Sequence, residues 1–389
     1  MKALVLLAAL AAAIPARATE SRYITPEMDK YILEGVDDIY RMRFDEAEAA
    51  ANKAIALNPE EPHAYIGYAG AAWTKYVYGT DQGDDSLIKE FEKRTYKAIE
   101  VGEAWIKKHP DDAGGLMTLG AAYGVWSRLL IVQHSWIKGY LKGRRALQLT
   151  KEAVKKDPEY WDAYLGLGMY DYYSDLYPRF IGSLAKLVLR GNRKQGIEYL
   201  EMVAEKGHYS QNNARILLVE IYTEDPFGAR SPEKAVMRMN QLRAKYPDSA
   251  MMHCAQLVAW FTAGRYAEVE KGSREYVAKA RRGDYAPLEL SKGLVMLGTA
   301  LWAQGKTEEA EAAFRENETL TQNGKQGRWQ VWGHIKHGQM LDALGKREEA
   351  VKHYKAAAAE PDRWDFRSIA KGYLSKPYAA KLPESIPPP

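Results

Sequence analysis

Small and apolar positions recur along this chain at helical spacing, in one repeated order. A small residue is followed by an alanine twelve positions on, by a packing residue four after that, and then by a proline. The first copy is Gly35, Ala47, Ala51, Ala54 and Pro59. The clearest late copy is Leu297-Gly298, Trp302, Gly305, Ala310 and Phe314. The last is Gly338, Gly345, Ala350, Tyr354 and Ala357, with Pro361 one residue early. Gly120-Ala121-Ala122-Tyr123 and Gly166-Leu167-Gly168 open two further copies, and Pro110, Pro158 and Pro247 close others. Small residues facing each other let two antiparallel helices approach closely, the bulky residue fills the gap they leave, and proline stops the second helix. In AQGKTEEAEAAF (303–314) and ALGKREEAVKHY (343–354) a helix ends, a glycine turns the chain, and a new helix begins. That glycine is expected at positive φ.

The pattern predicts about eight helix pairs, over 27–59, 62–110, 112–158, 161–207, 211–247, 249–281, 288–323 and 328–361. With this spacing the chain resembles the tetratricopeptide repeat family. The resemblance covers nearly all of residues 19–374 and implies an all-α right-handed superhelix, a solenoid in which each pair stacks on the next. The first, seventh and eighth pairs match best, the fourth to sixth are degenerate, and the second and third carry insertions. Two segments break the beat, 124–145 (GVWSRLLIVQHSWIKGYLKGRR) and 174–194 (SDLYPRFIGSLAKLVLRGNRK), both apolar and basic. GLGMYDYYSDLYP and GNRKQGIEYLEMV are also similar, over about forty residues, to the eukaryotic tetratricopeptide-39 and inclusion-body-clearance proteins.

The family resemblance implies which residues of each first helix line the concave side. They include Tyr40 in the first unit, Ile66 and Trp73 in the second, Met169, Tyr172 and Tyr173 in the fourth, Phe261 and Cys254 in the sixth, and Trp302 and Lys292 in the seventh. Tyr40, Ile66, Trp73, Met169, Tyr172, Tyr173, Phe261 and Trp302 are therefore the candidate binding residues, an apolar and aromatic surface for a peptide or an amphipathic helix. Family members that clamp an acidic C-terminus place Lys, Arg and Asn there; here only Lys292 fits. The competing reading is that insertions or a tight superhelix fill the groove and turn these residues into core. The cluster MYDYYSDLYP (169–178) divides the same way between recognition and packing.

Composition adds the compartment. Lys2, the uncharged apolar run Ala3 to Ile14, Pro15 and Ala16-Arg17-Ala18 read as a secretory signal cleaved after Ala18, placing the protein in the periplasm or envelope if bacterial. Removing Lys2 and Arg17 from 55 basic residues leaves 53 against 51 acidic, a near-balance that argues against a nucleic-acid partner. Tyr and Trp, 26 and 10, far outnumber the 7 Phe, as suits half-buried helical positions. The one cysteine, Cys254, makes no internal disulfide and reads as a packing thiol, because His253 beside it points about 100° away. Residues 375–389 hold five prolines and are expected to be disordered.

Candidate chemistry is sparse. His334 and His337, three apart on a predicted helix, could meet one ion, with His353 on the paired helix. Zinc needs further ligands, and no nearby carboxylate or cysteine has supporting spacing, so these histidines read as structural and no metal or cofactor is expected. Phosphate loops, nucleophile elbows and acid pairs do not occur. The expectation is an exported scaffold, not an enzyme, holding a protein or peptide in its groove. A carrier of an apolar small ligand or lipid is the alternative, and an enzyme with an unrecognised site is the third. Peripheral membrane contact through 124–145 and 174–194 stands beside the simpler reading that these segments thicken the solenoid.

Overall fold

The computed structural model describes residues 23–133, 135–181, 191–320, 327–360 and 365–386. Seventeen α-helices and no strand occur among them. In chain order these are α1 (Pro26–Tyr40), α2 (Phe44–Leu57), α3 (His63–Thr74), α4 (Ser86–Lys108), α5 (Ala113–Val132) and α6 (Trp136–Lys156). Then follow α7 (Ala163–Ile181), α8 (Arg193–Lys206), α9 (Gln211–Glu224), α10 (Pro232–Lys245), α11 (Ala250–Thr262) and α12 (Tyr266–Arg282). The chain ends with α13 (Glu289–Ala303), α14 (Thr307–Thr319), α15 (Arg328–Ala343), α16 (Arg347–Ala359) and α17 (Phe366–Ser375). The first sixteen form the eight expected pairs, each packed on the next, and α17 covers α16. The signal-like residues 1–18 and the stretch 182–190 of the second insertion lie outside the described residues.

Local chemistry sets the helix ends. Thr25 caps α1 through a 3.2 Å bond from Met28 N–H to its hydroxyl, with Pro26 in the first turn. Gly305 and Gly345 turn the chain between the helices of the seventh and eighth pairs at φ 74° and 76°, left-handed values that cost glycine little. In the first pair the same turn is made by Met42 at φ 62°. The small-to-large packing rule also holds: a Cβ on Gly298 would lie 2.9 Å from the Phe314 ring, and one on Gly338 would lie 2.6 Å from Tyr354. Phe314 and Tyr354 are fully buried, each a burial of the order that stabilises by about 1.5–3 kcal/mol.

The segment expected as the first insertion is helical. It forms the second half of α5, a turn, and the first half of α6, so it lengthens the third pair. The two helices touch at Gly139, whose carbonyl accepts from Ser127 Oγ at 2.7 Å. Trp126, Leu129 and Leu130 are buried there, whereas Trp136, Ile137 and Leu141 are more than half exposed.

Two departures from a simple open solenoid matter most. First, the superhelix closes on itself. Asp29 of α1 accepts from Tyr209 Oη at 2.5 Å and lies 2.7 Å from His208 Nε2, both in the loop after α8. Asp37 accepts from Tyr246 Oη at 2.5 Å and pairs with Lys245 Nζ at 3.0 Å, at the end of α10. Second, residues 376–386 are not the disordered tail expected from composition. They form a segment without helix or strand, bent at several residues, with Tyr378 and Ile386 buried. Prolines forbid helix there, but the free carbonyls find side-chain donors, which composition does not reveal.

Gly338→Ala should therefore lower stability by about 1–3 kcal/mol through overpacking against Tyr354. A urea unfolding midpoint equal to that of the parent chain would contradict this.

Candidate functional site

The eight sequence-chosen groove residues fall into three clusters and one separate position. Tyr40, Met169, Tyr172 and Tyr173 meet around Tyr222, Tyr246 and Met251, so the end of α1 sits inside the core of the fourth to sixth pairs. Tyr40 and Tyr172 are buried, and Tyr172 Oη donates to Asp225 Oδ2 at 2.8 Å. Tyr173, half-buried, donates to Glu220 Oε1 at 3.0 Å. Phe261 and Trp302 are buried in the C-terminal core, Trp73 packs on Phe91 with ring centroids 5.2 Å apart, and Ile66 is half-buried outside these clusters. Four of the eight, Tyr40, Tyr172, Phe261 and Trp302, are buried, and the end of α1 covers the cluster around Tyr246.

The loop after α3 fills more of the concave side. A π-helical turn, Lys75–Gly79, leads to Asp81 and Gln82, both left-handed at φ 52° and 60°. Such backbone costs about 1 kcal/mol or more per residue outside glycine. In return Asp81 is buried beside Lys292, Glu289 and Arg328 and accepts from the Trp329 side chain. Lys292 Nζ pairs with Glu289 Oε2 at 2.9 Å, and Tyr276 Oη donates to the same oxygen. Burial opposes the Lys292 charge, but Glu289 and Asp81 outweigh it and hold the ammonium above its ordinary range. Lys292, the one clamp-like residue, is thus committed inside.

The remaining concave surface lies over α13 and α15. Ser291 to Trp302 and Trp329 to Leu341 are buried on every face. What covers their outer side is the segment 376–386, which runs antiparallel to α15. Tyr378 N–H donates to Asp342 Oδ2 at 2.9 Å near the end of α15, and its ring lies 5.9 Å from Trp302. Trp302 Nε1 donates to Lys381 O at 3.2 Å, Lys336 Nζ to Ser385 O at 2.6 Å, and Trp332 Nε1 to Ile386 O at 2.9 Å. Three long side chains thereby hold a non-helical backbone by its carbonyls. Burial pulls the Lys336 ammonium down to about 7, only partly offset by Glu384. Trp332 and Lys336 were absent from the sequence-chosen set, although Trp332 stands six residues before Gly338 as the groove residue Lys292 stands six before Gly298.

Two stretches, 33–80 and 291–317, match models described as tetratricopeptide repeat. The chain is a tetratricopeptide repeat protein. The first match covers α1 to the π-turn and the second covers α13 and α14, the regular ends of the array. No curated protein matches the sequence. Among solved structures, a thermophilic TPR protein of Thermus thermophilus is 20% identical with a TM-score of 0.37, over 60% of this chain and 99% of that one. The human IFIT1 dimer with m7Gppp-AAAA is 14% identical with a TM-score of 0.46, over 92% and 82%. Yeast Tom70 is 12% identical with a TM-score of 0.33, over 90% and 88%.

Two chemical groups of this tetratricopeptide repeat protein stand apart from the groove. Cys254 is half-buried, 3.8 Å from Met296 Sδ, and burial pushes its thiol up to about 12. His253 turns away to Tyr285 Oη at 3.0 Å, and burial pulls it down to about 3, so no thiol–imidazole pair forms. The histidines of α15 have gained what the sequence did not offer. Glu318 Oε1, from α14, lies 3.4 Å from His334 Nδ1, 2.8 Å from His337 Nδ1 and 3.0 Å from His353 Nδ1 of α16.

The Lys336 contact sets a pH dependence. With residues 376–386 docked Lys336 titrates at about 7, whereas hydrated it titrates near the ordinary lysine value of 10.5. Undocking therefore takes up a proton between these values, and docking tightens as pH rises through that window and weakens as pH falls towards 7. Limited proteolysis of residues 376–386 should be slower at a pH of about 9 than at about 6.5, and Lys336→Met should flatten the difference. An unchanged slope in that variant would contradict the assignment.

Proposed function

We propose that this tetratricopeptide repeat protein is an exported protein-binding scaffold, and that its partner lays an extended peptide along α15 in the groove of the last two pairs. The observation that carries this is the row of donors, Trp302, Lys336 and Trp332, satisfied by main-chain carbonyls of the protein's own C-terminal segment. Main-chain recognition tolerates many sequences, and selection then falls to the pockets that take Tyr378 and Ile386, an aromatic and a branched aliphatic side chain. The C-terminal segment acts as an internal occupant that a partner must displace, which lowers apparent affinity until it leaves. Elsewhere the concave side is filled by Tyr40, Tyr172 and the Asp81 loop, which favours a peptide over a carried apolar ligand.

The test uses a chain ending at Ser375 and a synthetic peptide of residues 376–389. Tryptophan fluorescence should report saturable binding of the peptide, weakened at least about tenfold when Trp332→Phe removes one donor. Absence of saturable binding to a folded shortened chain would refute the groove assignment.

Export is supported by the charged start, the apolar run to Ile14 and the Ala16-Arg17-Ala18 site. N-terminal sequencing of protein recovered from a bacterial envelope fraction should begin at Thr19. Recovery of chains that keep residues 1–18 in the cytoplasm would overturn it.

A further inference from the structure

We propose that Glu318, His334 and His353 form a divalent-metal site of the zinc class at the junction of α14, α15 and α16, on the side of the solenoid away from the groove. One atom from each of the three, two imidazole nitrogens and a carboxylate oxygen, lie within 4.8 Å of one another. They come from three helices brought together by the stacking of the seventh pair on the eighth, so the set exists only in the folded array.

Ligand type and spacing choose the metal. Imidazole with one carboxylate suits zinc and its first-row neighbours, whereas calcium and magnesium take oxygen ligands throughout. Zinc bonds of about 2.0–2.1 Å in a tetrahedron place neighbouring ligand atoms roughly 3.3 Å apart. The carboxylate oxygen here lies 3.4 Å from His334 Nδ1 and 3.0 Å from His353 Nδ1, which brackets that edge. The His334 and His353 rings lie 5.8 Å apart centre to centre, so both turn inward to share one ion with Glu318.

The surroundings fit the assignment. His337 is buried behind the carboxylate, stacked on Phe314 at 5.5 Å, with its Nδ1 2.8 Å from the same oxygen. It is a positioning residue, directing Glu318 towards the other two imidazoles as carboxylate ligands are commonly directed by a hydrogen bond. Without a cation three imidazole nitrogens crowd one carboxylate oxygen, more than its lone pairs serve in good geometry. The Glu318 and His353 side chains keep 17% and 20% of their surface exposed, so an ion and a water ligand have a path in. His337 Nε2 is buried with no hydrogen-bond partner among the described residues, which leaves that ring held by Glu318 and packing alone.

The test uses the full chain, stripped with a chelator and then titrated with Co2+ and, separately, Zn2+. One equivalent of Co2+ should give the visible absorption of four- or five-coordinate nitrogen–oxygen ligation, and Zn2+ should abolish it by competition. Zn2+ should also raise the thermal midpoint, because only the folded chain presents the site. Glu318→Gln and His353→Gln should each weaken Zn2+ binding by about a hundredfold and remove the thermal shift. Circular dichroism of the metal-free variants checks that their helices remain, and His353→Gln, at a partly exposed position, is the milder of the two. No stoichiometric binding by the parent chain would overturn the site, as would full binding retained in both folded variants.

Discussion

Asp29 on the first helix sets how tightly this solenoid coils. Its carboxylate reaches Tyr209 and His208 in the loop after α8, and the same loop is gripped from the other side by Asp162, which accepts from the backbone N–H groups of His208, Tyr209 and Ser210. Asp162 is almost wholly buried, and a carboxyl group there is tolerated only when its oxygens are satisfied, as they are. With that loop pinned between two carboxylates, the first pair must cross the concave side of the fourth and fifth. The burial of Tyr40, the depth reached by the Asp81 loop and the restriction of the groove to α13 and α15 all follow from that crossing.

The interior that results is unusual for its charge. Glu289, Lys292 and Asp81 lie together where a regular array would have apolar side chains. Such a group adds little net stability compared with a well-packed apolar one, yet removing one partner typically costs about 3–5 kcal/mol. Its effect is directional: only the native seating of the Asp81 loop satisfies Lys292 fully. The two left-handed residues of that loop are held by the same contact.

Much of the fold is legible because its signals are local. Gly35 with Ala47, Gly298 with Phe314 and Gly338 with Tyr354 encode helix-to-helix approach within about twenty residues in the first, seventh and eighth pairs. The repeat spacing implies a concave face. Whether that face is open depends on contacts between α1 and residues near 208 and 246, which no local spacing records. The C-terminal segment defeats a compositional reading because proline content excludes helix without excluding an ordered stretch of chain. Glu318 escapes notice for a related reason. It meets His334, His337 and His353 across helix boundaries, at separations of 16, 19 and 35 residues that match no ligand motif.

The closing contacts also bear on how the molecule is made. Tyr209 meets Asp29 across 180 residues, and Tyr246 meets Asp37 across 209. Repeat arrays ordinarily assemble from neighbour to neighbour, each pair settling as it emerges. Here the first helix emerges with two acidic side chains whose partners do not yet exist, and Tyr40 has no core to enter until more than half of the chain has followed. An early-born amphipathic helix must wait for its own distant loops, so the N-terminal pair gains its closing contacts only once the chain has been made as far as Tyr246.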